Sequence, residues 1–370
     1  MHIVADENIP GLEQRLPTGA TLARVPGREL DAASLAVADA LLVRSVTQVN
    51  QALLANTPVR FVGSATSGID HIDRDYLASA GIAFAYAPGA NANAVVEYVL
   101  TAIAAVDDYL ARLLHGGREG IVGYGHIGHA LARRLRLLGI ACAVYDPWLP
   151  EEGRRDAASL DDVLSCDVVT CHAELTTREP FPSLHLFDAD VLSALGRQQL
   201  LVNASRGPVI DNKALLARLG AANAPAVVLD VWEGEPAIDA ALLDAVVFGT
   251  PHIAGYSLEG KLRGSAMLLE ALSACFESDT AQSSGADQRV LEVTSAELSA
   301  VLAANYAIER DDAELRAAVC EANPASEFDR LRRDYRERSE LLGATVRVPS
   351  AAPEQRDLLA ALGLDVEIGR

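Results

Sequence analysis

The sequence predicts an α/β fold of parallel sheets wrapped by helices. Three observations carry this. Short apolar runs alternate with longer helical patterns along the first 280 residues. The triplet Gly123, Gly125 and Gly128, in GxGxxG spacing, stands directly after one such run and opens a helical pattern. Two long helical stretches, 90–114 and 258–276, bracket the region that begins there.

In chain order, HIVAD (2–6), ALLVRS (40–45), RFVGSA (60–65) and GIAFAYA (81–87) read as strands. Residues 90–114 read as one helix, with Asn91 or Asn93 as its cap and HGG (115–117) as its end. The pattern restarts at EGIVGYGHIG (119–128). Further strands are expected at ACAVYD (141–146), DVVTCH (167–172), LLVNAS (200–205), AVVLDV (226–231) and VVFGT (246–250). After the helix 258–276, ESDTAQSSGADQ (277–288) has the composition of a linker. The remaining residues hold helical patterns at 295–308 and 327–342 and a β-like ATVRVP (344–349), as in a small α+β unit.

Bulk properties exclude several classes. A formal charge of −20 argues against nucleic acid or an anionic membrane surface as the main partner. Every long apolar segment is broken by Asp, Glu or Arg, so no membrane span is expected. The N-terminus MHIVADENIP lacks the order of a signal peptide. Cys142, Cys166, Cys171, Cys275 and Cys320 are scattered and form no CxxC pair, which suits reduced thiols of a cytoplasmic protein.

The glycine triplet has the context of a Rossmann-type dinucleotide loop. Gly123 allows the tight turn, Gly125 lets backbone approach a pyrophosphate, and Gly128 lets helix and strand pack closely. Backbone at His126 and Ile127 would face the pyrophosphate at the helix N-terminus. Asp146 ends the next strand, where an acid bonds the ribose 2′-hydroxyl and repels a 2′-phosphate, so NAD is favoured over NADP. His126 and His129 form an HxxH pair with no third ligand nearby, and a solvated helix face is expected instead of a metal site.

Hydride transfer from an alcohol needs a base for the hydroxyl proton and a cation for the oxygens. Arg206 follows the strand LLVNAS, His252 follows VVFGT, and DVWEGEP (230–236) follows AVVLDV. All three lie past the carboxyl ends of strands, where ligands bind in open α/β sheets. Arg206 can grip a carboxylate at two points. His252 is the natural base, and an acid such as Glu235 behind its far nitrogen would fix its tautomer. Glu233 reads as a solvated turn acid. Singly, each residue has a plainer reading as a surface or loop residue; behind a nucleotide loop they point together to one site.

These segments resemble the D-specific 2-hydroxyacid dehydrogenase family. VRSVTQV (43–49), VGSATSGIDHID (62–73) and APGANANAVVEYV (87–99) look like its substrate domain and first crossing helix. The resemblance implies an NAD-binding domain, 93–256, inserted in a flavodoxin-like substrate domain, 1–92 and 257–280. It extends to a branch with a C-terminal dimerisation domain, here 287–370, and hence to a homodimer acting on a phosphorylated 2-hydroxy acid. By position it makes Arg206, Glu235 and His252 the catalytic triad. Asp146, Ala204, Ser205, Arg206, Asp230 and Gly255 match cofactor positions, and Ser45, Thr66 and Tyr256 match substrate positions. Arg44 is a candidate for the phosphate, and Arg347 for reaching a partner's site. In CHAEL (171–175), Ala173 and Glu174 replace the family's Thr-Pro pair, and 176–187 departs from its pattern. A branch acting on 3-phosphoglycerate and an NADH-sensing binding protein of the same fold are the alternatives.

Overall fold

The computed structural model describes residues 1–150, 157–277 and 289–369, and the chain divides into two compact units. The first holds 1–91 and 256–277; the second holds 92–255 and 289–369. The expected linker lies, apart from Glu277, outside the described residues.

In the first unit, β1 (His2–Asp6), β2 (Thr21–Val25), β3 (Ala40–Val43), β4 (Phe61–Ser64) and β5 (Ala83–Tyr86) form one parallel sheet in the order β2-β1-β3-β4-β5. That is the flavodoxin-like order. Strands β3 and β4 are apolar and buried throughout, as central parallel strands covered on both faces must be. One face packs Leu35, Leu53 and Leu77. The other takes Leu268, Leu269 and Leu272 of the helix Leu258–Cys275 against Ile3, Leu42 and Phe61. Ser257 caps that helix by accepting the Gly260 N–H at 3.0 Å.

In the second unit, β6 (Arg118–Val122), β7 (Ala141–Tyr145), β8 (Val168–Cys171), β9 (Leu200–Asn203), β10 (Ala226–Leu229) and β11 (Phe248–Gly249) are also all parallel. Their order is β11-β10-β9-β8-β6-β7. The order reverses at β6, between β7 and β8, so the crevice past its carboxyl end is the topological switch point. Since every strand runs the same way, all six carboxyl ends share one edge.

The stretch 90–114 is two helices, Ala92–Ala105 and Tyr109–Leu114, and not one. Apolar periodicity continues through the break, but Asp107 stands at φ 43°, which no right-handed helix accommodates. The first helix is buried almost all round, from Ala94 to Ile103.

A third parallel sheet, β12 (Val290–Glu292), β13 (Thr345–Val348) and β14 (Asp365–Ile368), belongs to this unit too. Arg347 sits there between Glu292, at 2.7 Å, and Glu367, at 3.0 Å, so its charge is engaged within the sheet. The helix Ile308–Ala318 covers the β11 edge: Asp312 accepts the Gly249 N–H at 2.8 Å, and Arg316 donates to Leu243 and Val246 carbonyls. Leu315, Phe328 and Leu331 join the core of the nucleotide sheet. The expected helix 327–342 ends at Arg333. Beyond it the side chains are anchored one by one, Tyr335 and Arg336 to Asp311 and Arg338 to the carbonyls of Ala94 and Ala254, a spread that an extended chain reaches. Among the described residues no helix is long and apolar enough to cross a membrane.

One buried group sets a pH dependence. Glu119, inside β6, is fully buried, and burial pushes its carboxyl up to about 8; Thr170 donates a hydrogen bond to it at 3.2 Å. The folded value lies above the unfolded one, so this group's contribution is intact below pH ~4.5 and erodes as pH rises towards 8, at up to ~1.4 kcal/mol per pH unit. The unaltered chain should therefore lose melting temperature between pH 6 and 8.5 more steeply than Glu119→Gln. Equal slopes would contradict the assignment.

Candidate active site

The loop after β6 shows what each glycine does. Gly123 has φ 93°, and a Cβ there would stand 2.5 Å from the Ala173 nitrogen. A Cβ on Gly128 would meet the Gly123 carbonyl at 2.0 Å, so only glycine lets this helix reach its strand. At Gly125 a Cβ would meet nothing within 4 Å; the backbone there faces open space. The helix His126–Leu137 begins at that point with no side-chain cap, leaving the N–H groups of its first turn to an anion. Asp146, at the end of β7, accepts the Tyr124 N–H at 2.8 Å and the Trp148 N–H at 2.9 Å. It therefore braces the glycine loop, with lone pairs remaining for a hydroxyl. These features fit a bound dinucleotide. His126 and His129 are both exposed.

Next along the edge, Asn203 at the end of β9 organises the turn that carries Arg206. Its carbonyl oxygen accepts the N–H and hydroxyl of Ser205, at 3.1 and 2.8 Å, and its amide donates to the Arg206 carbonyl at 3.0 Å. Ala204 is buried beside it. A Cβ on Gly207 would overlap the Trp232 backbone at 2.0 Å, so this turn lies flat against the loop after β10.

That loop and the one after β11 are bound by Asp230, 1% exposed. Its carboxylate accepts the Thr250 hydroxyl at 2.6 Å and the N–H groups of Ile253 and Ala254 at 2.8 and 2.9 Å, while its carbonyl accepts the His252 N–H at 2.7 Å. Burial raises its pKa, and these donors together with His252 oppose that. His252 is held at φ 57°, a left-handed conformation that a non-glycine residue keeps only under such constraint.

The imidazole meets its acid. His252 Nδ1 lies 2.8 Å from Glu235 Oε2, and the other oxygen of Glu235 accepts the Trp232 N–H at 2.7 Å. Burial acts to raise the Glu235 pKa. The opposing pull of His252, then Arg332 and the Trp232 N–H, outweighs it and holds the carboxyl below its ordinary value. An ionised Glu235 accepts from Nδ1–H, so the hydrogen-bond pattern assigns Nε2 as the proton-accepting nitrogen.

Glu233 differs from expectation. It is not a solvated turn acid: its carboxylate binds His185 Nε2 at 2.8 Å and the Asn212 N–H at 3.3 Å, with the side chain 35% exposed. In return, the Glu233 N–H donates to Asn212 Oδ1 at 3.1 Å. His185 also donates its backbone N–H to the Pro208 carbonyl at 2.8 Å, so this second histidine–acid pair buttresses the turn beyond Arg206. Its partner lies 48 residues away and gave no local signal.

Other residues escaped notice for the same reason. Trp148, Arg178 and Phe181 pack together near Asp146, with the guanidinium 3.9 Å from the indole ring and the Trp148 indole Nε1–H donated to the Phe181 carbonyl at 3.1 Å. This ties the irregular stretch 176–187 to the end of β7. His172 is buried past β8, and neither ring nitrogen has a hydrogen-bond partner among the described residues; burial lowers its pKa to about 3, so it is neutral.

In the first unit Ser45 is exposed after β3, next to Arg44, whose Nε lies 3.2 Å from the buried Asp6 carboxylate. Thr66 shares its hydroxyl with Ser64 at 2.7 Å and donates to the Gly68 carbonyl. Tyr256 is half-buried, its ring 4.9 Å from the Lys261 ammonium, and Gly255 precedes it at the end of the second unit. Among the described residues, no cluster of His, Cys, Asp and Glu has the makings of a metal site.

Comparison with known proteins bears on the family and the fold. The model for the NAD-binding domain of D-isomer specific 2-hydroxyacid dehydrogenases matches residues 96–254, and a model described as a domain of unknown function matches 288–363. The erythronate-4-phosphate dehydrogenase of Teredinibacter turnerae is 45% identical over 92% of this chain and 93% of its own length. That of Marinobacter nauticus is 43% identical over the whole of both chains. Among solved structures, NAD-bound 3-phosphoglycerate dehydrogenase of Entamoeba histolytica has a TM-score of 0.64 at 19% identity, covering 75% of this chain and 95% of that one. The D-lactate dehydrogenase of Aquifex aeolicus, with NAD and lactic acid, has a TM-score of 0.61 at 21% identity, covering 75% and 96%. At those identities the two structures speak for the fold alone.

Proposed function

The chain belongs to the D-isomer specific 2-hydroxyacid dehydrogenase family, and from that premise we propose that it oxidises 4-phospho-D-erythronate to 2-oxo-3-hydroxy-4-phosphobutanoate, on the route to pyridoxal phosphate. The observation that carries the chemistry is the His252–Glu235 pair, at 2.8 Å, on the strand edge that also carries the glycine loop. The relatives sharing 43–45% of its residues along nearly the whole chain support the substrate.

NAD, when bound, supplies the acceptor for the hydride leaving C2. Gly123, Gly125 and Gly128 with the backbone of His126 and Ile127 would hold its pyrophosphate, and Asp146 its ribose. Ala204, Ser205, Asp230 and Gly255 complete the cofactor side. His252 Nε2 takes the C2 hydroxyl proton, and Glu235 stabilises the imidazolium that forms. Arg206 holds the substrate carboxylate and the oxygen that becomes a carbonyl. Ser45, Thr66 and Tyr256 are the proposed substrate contacts on the first unit, with Arg44 for the phosphate. The reading includes a cytoplasmic homodimer joined through the C-terminal residues.

Purified protein should turn over 4-phospho-D-erythronate with NAD, with a 2-oxo acid present to reoxidise bound cofactor, and leave 3-phosphoglycerate largely unused. Turnover of the second substrate alone would sink this reading. Tight NADH binding without turnover of either would favour a sensor.

A further inference from the structure

The acid–base loop is gripped from two directions, and one of them is the C-terminal segment. Asp230 satisfies the N–H groups of Ile253 and Ala254. The carbonyl of Ala254, itself 2% exposed, accepts from the guanidinium of Arg338, 84 residues further on. The same Nη2 donates to the Ala94 carbonyl at 3.2 Å.

Arg338 is 7% exposed, and its surroundings explain why a buried cation is tolerated. The guanidinium carbon lies 4.7 Å from the centre of the Tyr306 ring. Glu97 and Glu340 stand nearby, both buried, and Glu97 accepts the N–H groups of Leu341 and Leu342 at 2.8 and 3.3 Å. The grip is thus reciprocal. The helix Ala92–Ala105 holds the segment 338–342 through Glu97, and the segment holds that helix and the histidine loop through Arg338. Tyr306 packs on Tyr98, with ring centres 5.7 Å apart, and the Tyr98 hydroxyl bonds Thr250 Oγ1 at 2.8 Å, the same hydroxyl that donates to Asp230.

We propose that Arg338 is a positioning residue for the proposed reaction. By locking the Ala254 carbonyl, it keeps His252 in its left-handed turn and its imidazole on Glu235, which makes the C-terminal residues part of the acid–base apparatus. The inference rests on the function proposed above for its kinetic readout. One side chain thus ties the Ala254 carbonyl to the helix Ala92–Ala105, and the turn that ends at Ala254 sets the direction of the catalytic ring. A small displacement of such a group lowers turnover strongly, by ~10²-fold for ~1 Å.

The test uses the full chain with Arg338→Met and Arg338→Lys, the second keeping a charge and a donor. Expected are a fall in kcat approaching ~10²-fold for Arg338→Met and a smaller one for Arg338→Lys, with NADH affinity retained. The pH profile of kcat should move, and amide exchange should speed up in a peptide covering 250–256 ahead of the rest of the chain. Should Arg338→Met fail to fold, Arg338→Lys carries the same readouts. Unchanged kcat, profile and exchange in a folded variant would overturn the proposal. So would a loss of activity that only tracks a general loss of melting temperature, with no selective exchange at 250–256. The exchange readout needs no substrate, so an unaltered chain that turned over nothing would count against the proposed function and not against this inference.

Discussion

His252→Ala is expected to lower turnover of 4-phospho-D-erythronate by ~10²–10⁴-fold, the usual contribution of a positioned general acid–base. NADH affinity should change little, because Asp146 is joined to the glycine loop by the Tyr124 N–H, whereas the imidazole is bonded to Glu235. Stability should drop by about 1–3 kcal/mol, since Glu235 loses the partner that opposes its burial. The Trp232 N–H and Arg332 still serve that carboxylate, so the variant should fold. Kinetics and calorimetry on one preparation separate the two effects. Near-wild-type turnover in a folded His252→Ala protein would remove His252 from the mechanism.

Glu235→Gln is expected to act on the pH profile more than on the fold. Glutamine keeps the shape and can still accept the Trp232 N–H, but it removes a charge that the structure holds ionised. An opposite charge at this distance stabilises the imidazolium that forms when the ring takes the proton. Its loss should lower turnover and alter the pH profile of kcat. The direction of reaction then matters. Reduction of the oxo acid needs the imidazolium as acid and should fall most. Oxidation needs the neutral ring as base and should lose less. A profile unmoved in both directions would return DVWEGEP to being a turn with no part in the chemistry.

The parts of the site legible in the sequence are those with a local signature. The glycine triplet, Asp146, Arg206 and His252 each follow closely on an apolar strand, and parallel pairing brings all those ends to one edge. What stayed hidden is what the fold brings from afar. Strand β2 was unmarked because TLARV lies at the sheet's edge and is largely exposed or half-exposed, so it needs no apolar run. The break at Asp107 was masked by apolar spacing that fits a helix on both sides. RERSELL reads as a continuing helix face, yet the chain leaves the helix so that Arg338 can reach Ala254 and Glu97 can take Leu341. Glu233 looked like a surface acid because His185 is distant in sequence. In the last two cases a long-range polar bond overrode local propensity, and single-chain periodicity carries no trace of such a bond.

The account stands on hydride leaving C2 of a phosphorylated 2-hydroxy acid while His252 takes the hydroxyl proton. The most direct measurement supplies 4-phospho-D-erythronate labelled with deuterium at C2 to the protein with NAD and analyses the reduced nucleotide by mass spectrometry. The account predicts one deuterium per reduced nucleotide, formed by the unaltered chain and far more slowly by His252→Ala. Reduced nucleotide without deuterium, or none formed at all, would contradict it.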